Sequence, residues 1–302
     1  LDHFFSFQLF AIIARLLQQA LEFRLYRPAS GLFAILALYN FRNSLMHPTL
    51  NIALPAARDA AEAIAHSSDR LDRVKIINNS REAFLTSMDQ NADKTILYHL
   101  TKAFPKHTIN SRVSGITRGE DPDTIWLVDP LIGNWNFSKG YTQFAVSLAC
   151  QINSVITHAV IICPLVREEY TATRGAGSQL NSRRLRVGKH TDLNQALVGI
   201  NPGTNGLEES LALQQGLAAT EATPRISGCT PLDMLQTSAD RLQAGWSMAE
   251  DPRSLAAASL ILQEAGGLIG TEDGNPDLRS GEEIFYGNPK AFRALLKLRN
   301  AS

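Results

Sequence analysis

Cysteine is scarce in this chain. Cys150, Cys163 and Cys229 are the three in 302 residues; they lie far apart and show no CxxC spacing. That argues against a disulfide framework and a cysteine zinc site, and it fits a reducing, cytoplasmic setting. Cys150 and Cys163 sit in apolar runs and read as buried, inert thiols. An excess of either charge is also missing, with 29 basic and 29 acidic residues. The balance gives no support to a nucleic-acid binder or a membrane-surface protein. The local run Arg183, Arg184 and Arg186 reads as a solvated strand end. Two apolar stretches, Leu9–Leu17 and Gly31–Tyr39, both fall short of the roughly 18 residues a membrane span needs. There is no GxGxxG, phosphate-binding loop, GxSxG or zinc spacing, no repeat and no low-complexity tract.

What is present is enough apolar sequence, 44% of residues, for a large core. Helical spacing of Ile52, Ala56, Ala60 and Ile64 predicts a helix over 49–66, although Pro55 inside it should cost about 3 kcal/mol or kink it. A second helix is expected from Asp89 to about Phe104. Ile125–Val128 reads as a buried strand that ends at Asp129-Pro130, where proline cannot continue a ladder. Phe144–Ile152 and Val155–Cys163 read as a hairpin turning at Asn153-Ser154. Further expectations are a strand at Tyr170–Thr173 and a helix from about Leu207. A helix over Ser254–Ala265 should stop at Gly266-Gly267, and a last helix should be capped by Asn288-Pro289. Helices alternate with strands around one antiparallel block, a layered α/β or α+β arrangement. The first Met is Met46. We read Met46-His47-Pro48 as the natural start and 1–45 as an extension outside the fold.

The run Trp126-Leu127-Val128-Asp129-Pro130-Leu131-Ile132-Gly133-Asn134-Trp135-Asn136-Phe137 resembles the inositol monophosphatase signature, W-[IV]-[IV]-D-P-[IL]-D-G-T-T-N-F. Phe144–Ala149 is similar to that family's F-A-V-S-I-A strand. Tyr170–Asn181 resembles its F-x-A-x-x-G-x-G-A-x-x-N, and Ser227–Asp233 its T-G-S-A-A-L-D. Glu264-Ala265-Gly266-Gly267 and Gly287-Asn288-Pro289 complete the series in the family's order. Met46-His47-Pro48, His107-Thr108-Ile109 and the 171–186 run look closest to the bacterial SuhB type. The resemblance implies a five-layer α-β-α-β-α sandwich, with halves of about 46–185 and 186–302 meeting at a cleft. It also implies Mg²⁺-dependent hydrolysis of inositol monophosphate and related sugar phosphates.

Mapped residue by residue, the resemblance keeps Asp89 and Asp129 as metal ligands. A ligand Glu has become Arg112, the second signature Asp has become Ile132, and the Asp that serves metal and substrate has become Ser254. The phosphate-facing Thr has become Asn134, beside the bulky Trp135, which reads as a plug in the pocket. Five carboxylates hold the ions in the family pattern; two remain here, and Arg112 brings the local charge to about −1. Asp251, three residues before Ser254, is the first carboxylate we would expect to move in. Gly133, Asn134, Arg174 and Arg225 are the candidates for anion binding. His107 and His158 read as structural. These replacements imply a member with impaired or no catalysis, with Mg²⁺ bound weakly or not at all, acting through a protein partner. The SuhB type suggests transcription antitermination. The alternative is an active phosphatase with an altered metal site. A homodimer is compatible with the family; nothing points to direct nucleic-acid contact or a membrane.

Overall fold

The computed structural model describes residues 47–80, 83–248, 250–275 and 283–300. The extension expected at 1–45 lies outside the described residues. Two helices come first, α1 (Pro48–Ser68) and α2 (Ser87–Ala103), separated by a short ribbon of β1 (Ile76–Asn78) and β2 (Leu85–Thr86). Then come β3 (His107–Ser111), β4 (Gly115–Thr117), β5 (Asp121–Ile132), the single-turn α3 (Asn134–Ser138), β6 (Ala145–Ile152) and β7 (Val155–Cys163). β8 (Glu168–Thr173), β9 (Gly177–Leu180) and β10 (Arg183–Arg184) complete an eight-stranded sheet, ordered β10-β9-β8-β7-β6-β5-β3-β4. The remaining chain gives β11 (Leu197–Asn201), α4 (Leu207–Ala218), β12 (Thr223–Arg225), α5 (Thr230–Ser238) and β13 (Ala244–Met248). α6 (Pro252–Glu264), β14 (Leu268–Gly270), β15 (Glu283–Gly287) and α7 (Pro289–Arg299) follow, and the second sheet runs β12-β11-β13-β15-β14.

The layers stack as the resemblance implied. α1 lies against β6 and β7, and α2 against β5, on one face of the large sheet. α6 crosses its other face, beside α5, which also touches β11, β13 and β15 of the small sheet. α4 and α7 pack on each other, α4 against β12 and α7 against β13, β14 and β15. The central layer is apolar: Ala149, Ile161 and Tyr170 of the large sheet share one cluster with Leu235, Leu260 and Ile261 of α5 and α6 and Ile284 of β15. A second cluster joins Val198, Ile200, Trp246 and Phe285 to Leu213, Leu217, Phe292 and Leu295. Ile64, Ile96 and Leu100 are fully buried on α1 and α2; truncating any one of them to Ala would cost about 2–5 kcal/mol.

Local sequence explains the element ends. α1 runs through Pro55 without stopping, and Pro55 sits on its exposed side. The carbonyl that proline leaves without an amide donor, that of Asn51, is on the exposed face too, where water can serve it. Asn153 (φ 49°) and Ser154 (φ 64°) both adopt left-handed conformations, as a two-residue hairpin with the twist of its strands requires. The Asn288 side chain accepts from Lys290 N and Ala291 N and starts α7. β5 departs from expectation. It does not end at Asp129 but continues to Ile132, with a register shift against β6 between Asp129 and Ile132. Pro130 is absorbed in that bulge, where a ladder donor is not needed.

Candidate functional site

The carboxylates of Asp89 and Asp129 are brought together at the ends of α2 and β5. Asp89 is the third residue of α2 and closes a capping box: its Oδ2 accepts from Thr86 N at 2.8 Å and Thr86 Oγ1 at 2.7 Å. That leaves Oδ1 facing the site. Asp129 sits where the β5 ladder breaks, and its Oδ1 accepts from Leu131 N at 3.2 Å. Both side chains are buried, 0% and 2% exposed.

Arg112 lies between them. β3 pairs with β5 in parallel, and Arg112 N extends the ladder by donating to Val128 O, so position 112 falls next to Asp129. Its Nε donates to Asp129 Oδ1 at 2.7 Å. Its Nη2 donates to Asp89 Oδ1 at 2.6 Å and to Leu131 O at 3.2 Å. Burial works against the guanidinium charge, but the attraction of Asp129 and Asp89 outweighs it and raises the pKa above the ordinary arginine value. Two of the other replaced positions, Ser254 and Asn134, close around this group. Ser254 Oγ, in the first turn of α6, donates a short hydrogen bond to Asp129 Oδ2. Asn134 Nδ2 donates to Asp89 Oδ1 at 3.0 Å and to Phe84 O at 2.7 Å. Ile132 is buried in the central apolar cluster with Ala145 and Ile161.

Mg²⁺ takes hard oxygen ligands in near-octahedral geometry. Here the site-facing oxygens of both carboxylates carry guanidinium hydrogen bonds, and the nearest replaced positions offer a hydroxyl, an amide and an alkyl group. Among the described residues no three His, Cys, Asp or Glu side chains group as metal donors. The donor set does not fit the ion. Asp251 does not supply the deficit. It caps α6, and Arg253 holds both its oxygens, Nε to Oδ1 at 2.8 Å and Nη2 to Oδ2 at 2.5 Å. Burial alone would raise the pKa of Asp251; the Arg253 bonds win and lower it.

The anion-binding candidates do not converge. Gly133 (φ 71°) is needed for the backbone, since a Cβ would fall 2.3 Å from Gln143 O. Arg174 is exposed and its Nε donates to Ile156 O at 2.6 Å. In register, Asp129, Ser147, Ile161 and Tyr170 lie side by side. Arg174 is four residues beyond Tyr170 on the third strand from β5, roughly 13 Å along and 14 Å across. Arg225 is exposed on the edge strand β12 and donates to its neighbour, Pro224 O, at 2.9 Å. Trp135 is not a plug: it is 45% exposed, edge-on to Phe84 at 4.6 Å, with the Lys139 ammonium 5.5 Å from its ring. His107 accepts from Trp126 Nε1 and stacks on Phe104. His158 stacks on His47, and burial first, then the neighbouring His47, pushes its pKa down to about 4. The three cysteines are free and buried, and burial raises each thiol. A cavity of about 640 Å³ lies elsewhere, lined by His66, Arg70, Arg73 and Asn91 among others, and no member of the Arg112 cluster borders it.

The sequence motifs named Asp233 only as the last residue of the T-G-S-A-A-L-D match and passed over Glu250, and with them a second polar group. Asp233 accepts from Asn201 Nδ2 at 2.8 Å, and Glu250 accepts from Thr230 Oγ1 at 2.6 Å. Burial pushes Asp233 up to about 6 and Glu250 up to about 7, the latter with added repulsion from Asp129 and Asp233. Asp233 was visible as a motif residue but not its protonation; Glu250, a lone acid in a mixed segment, gives no periodic signal by which to find it.

The two sheets layered with helices and the paired acids at the ends of α2 and β5 define a layered α/β protein of the sugar-phosphatase kind. The model of the inositol monophosphatase family matches residues 45–301, and the chain belongs to that family. It is 38% identical over 258 residues to Nus factor SuhB of Pseudomonas aeruginosa, spanning 83% of this chain and 95% of that one. Against Nus factor SuhB of Escherichia coli it is 34% identical over 254 residues, with 83% and 95% covered. Among solved structures, extragenic suppressor protein SuhB from Bartonella henselae superimposes with a TM-score of 0.80 at 28% identity, covering 84% of this chain and 98% of that one. The Thermotoga maritima IMPase superimposes at 0.76 with 23% identity and the same coverage, a likeness of fold alone. Among the described residues no helix is long and apolar enough to cross a membrane.

Proposed function

We propose that this chain is a non-catalytic member of the inositol monophosphatase family. On this reading it is a cytoplasmic protein that works by binding a protein of the transcription machinery, as the name Nus factor carried by its relatives suggests. Mg²⁺ binds it weakly or not at all, and neither membrane nor direct nucleic-acid contact is part of its action. Self-association into a homodimer is compatible with this role. The observation that carries the reading is the guanidinium of Arg112 bonded to both Asp89 and Asp129. A metal that polarises phosphate and activates water supplies several kcal/mol of transition-state stabilisation, and each 1.36 kcal/mol is tenfold in rate. Loss of the ions therefore removes many orders of magnitude.

The test is phosphate release from inositol 1-phosphate, in excess Mg²⁺ and in chelator, run beside co-elution with purified transcription-elongation proteins. The expected result is no chelator-sensitive release, together with a stable complex. Turnover near 1 s⁻¹ or faster, in the ordinary enzyme range and abolished by chelator, would overturn the reading in favour of an active phosphatase with an altered site.

A further inference from the structure

The buried carboxylates of Asp89 and Asp129 must be neutralised by something, because two like charges held near each other out of water repel strongly. Among the described residues, Arg112 is the cation in ion-pair contact with both. Its reach is wider than an ion pair. Through Asp89 it holds the first turn of α2, whose capping box occupies the other carboxylate oxygen. Through Asp129 it is linked to Ser254 and so to α6. Asn134 of α3 shares the same Asp89 oxygen. Arg112 also donates to Leu131 O, inside the segment where the β5–β6 register shifts around Pro130. A guanidinium can serve these acceptors together because its donors form a planar fork; an ammonium on a single stem cannot.

We infer that Arg112 is a built-in structural cation. It does for this cleft what a bound ion would have to do: it neutralises the acids, fixes the β5 bulge and ties α2, α3, β5 and α6 into one arrangement, so the fold is complete without metal. The inference concerns stability and rests on the proposed function only in its magnesium arm; the Arg112 variants melted in EDTA test it alone, because their loss is independent of phosphate hydrolysis and partner binding.

The experiment is calorimetric melting of the full chain in excess MgCl₂ and in EDTA. The unmodified protein should melt at the same temperature in both. Arg112→Gln should melt about 10 °C lower in both, the loss expected when one partner of a buried ion pair is removed. Arg112→Lys, which keeps the charge and loses the fork, should fall between them. The triple variant R112E/I132D/S254D should be the least stable in EDTA and should gain about 5 °C or more with saturating MgCl₂. If Arg112→Gln is too unstable to purify, the loss has the expected sign, and the magnesium arm on the unmodified protein and Arg112→Lys then decide. Melting of Arg112→Gln or Arg112→Lys within about 2 °C of the unmodified protein would overturn the inference. So would a rise of more than about 2 °C in the unmodified protein on adding MgCl₂.

Discussion

Two pairs of acids in this molecule, Asp89 with Asp129 and the buried Asp233 with the half-buried Glu250, are handled in opposite ways. Asp89 and Asp129 share a guanidinium, and each accepts further bonds from an amide or hydroxyl group. Asp233 and Glu250 have uncharged partners, Asn201 and Thr230, and burial drives their pKa values up to about 6 and about 7. The first pair has a cation built in beside it, bonded to both carboxylates. The second avoids the cost of a buried charge by taking up protons close to neutral pH. Burial alone therefore does not mark a carboxylate as a ligand; what bonds to its free oxygens does.

The same substitution at the two places should have very different effects. Asp129→Asn leaves Arg112 buried with half its countercharge, and chemical denaturation should show a loss of about 3–5 kcal/mol. Next in size is Thr86→Ala. It removes the hydroxyl that caps α2 and bonds Asp89 Oδ2, and should cost about 1–2 kcal/mol in the same assay. The pH response comes third. Asp233 and Glu250 have folded pKa values raised above the ordinary 3.8 and 4.5, so the folded state binds more protons than the unfolded chain across that interval. Stability from these groups is therefore full at low pH and is lost as pH rises through about 6 and about 7. His158, lowered to about 4 from 6.5, works in the other direction and is only half finished at its ordinary value. From about pH 6.5 to about pH 8 stability should therefore fall by a net of about 0.5 kcal/mol, and Glu250→Gln should abolish the fall. Asp233→Asn should be the smallest change, within about 0.5 kcal/mol and stabilising at the alkaline end, because no cation depends on that charge. Equal losses for Asp129→Asn and Asp233→Asn would erase the distinction between the clusters.

The same contrast explains which parts of the fold the sequence disclosed. The β6–β7 hairpin was legible because a polar two-residue turn separates two long apolar runs, and α7 because Asn-Pro supplies both the cap and the first helical φ. Most of the second sheet was not. β11 and β13 are five residues each, largely buried, and broken by Gly199 and Gly245, so neither alternates. Those glycines answer to a distant residue: a Cβ on Gly245 would come within 2.2 Å of the Tyr286 ring, and one on Gly199 within 2.9 Å of its hydroxyl. No window around either glycine contains that information. The bulge at Pro130 was missed for the same reason, since the groups around it, Arg112 and Ser254, come from other elements. At the site, the type of each replaced residue was plain from the motif. That Trp135 points out, that Arg253 holds Asp251, and that Arg174 and Arg225 stay apart are facts of packing.

Titration calorimetry of the unmodified protein with MgCl₂ tests the central claim most directly, because it asks whether the Arg112 cluster leaves room for the ion. The account predicts only dilution heat up to millimolar concentrations, for the unmodified chain and Asp129→Asn alike. A saturable heat with a Kd below about 1 mM, roughly 4 kcal/mol of binding, that disappears in Asp129→Asn would show that the acids still hold magnesium in spite of Arg112, and would contradict it.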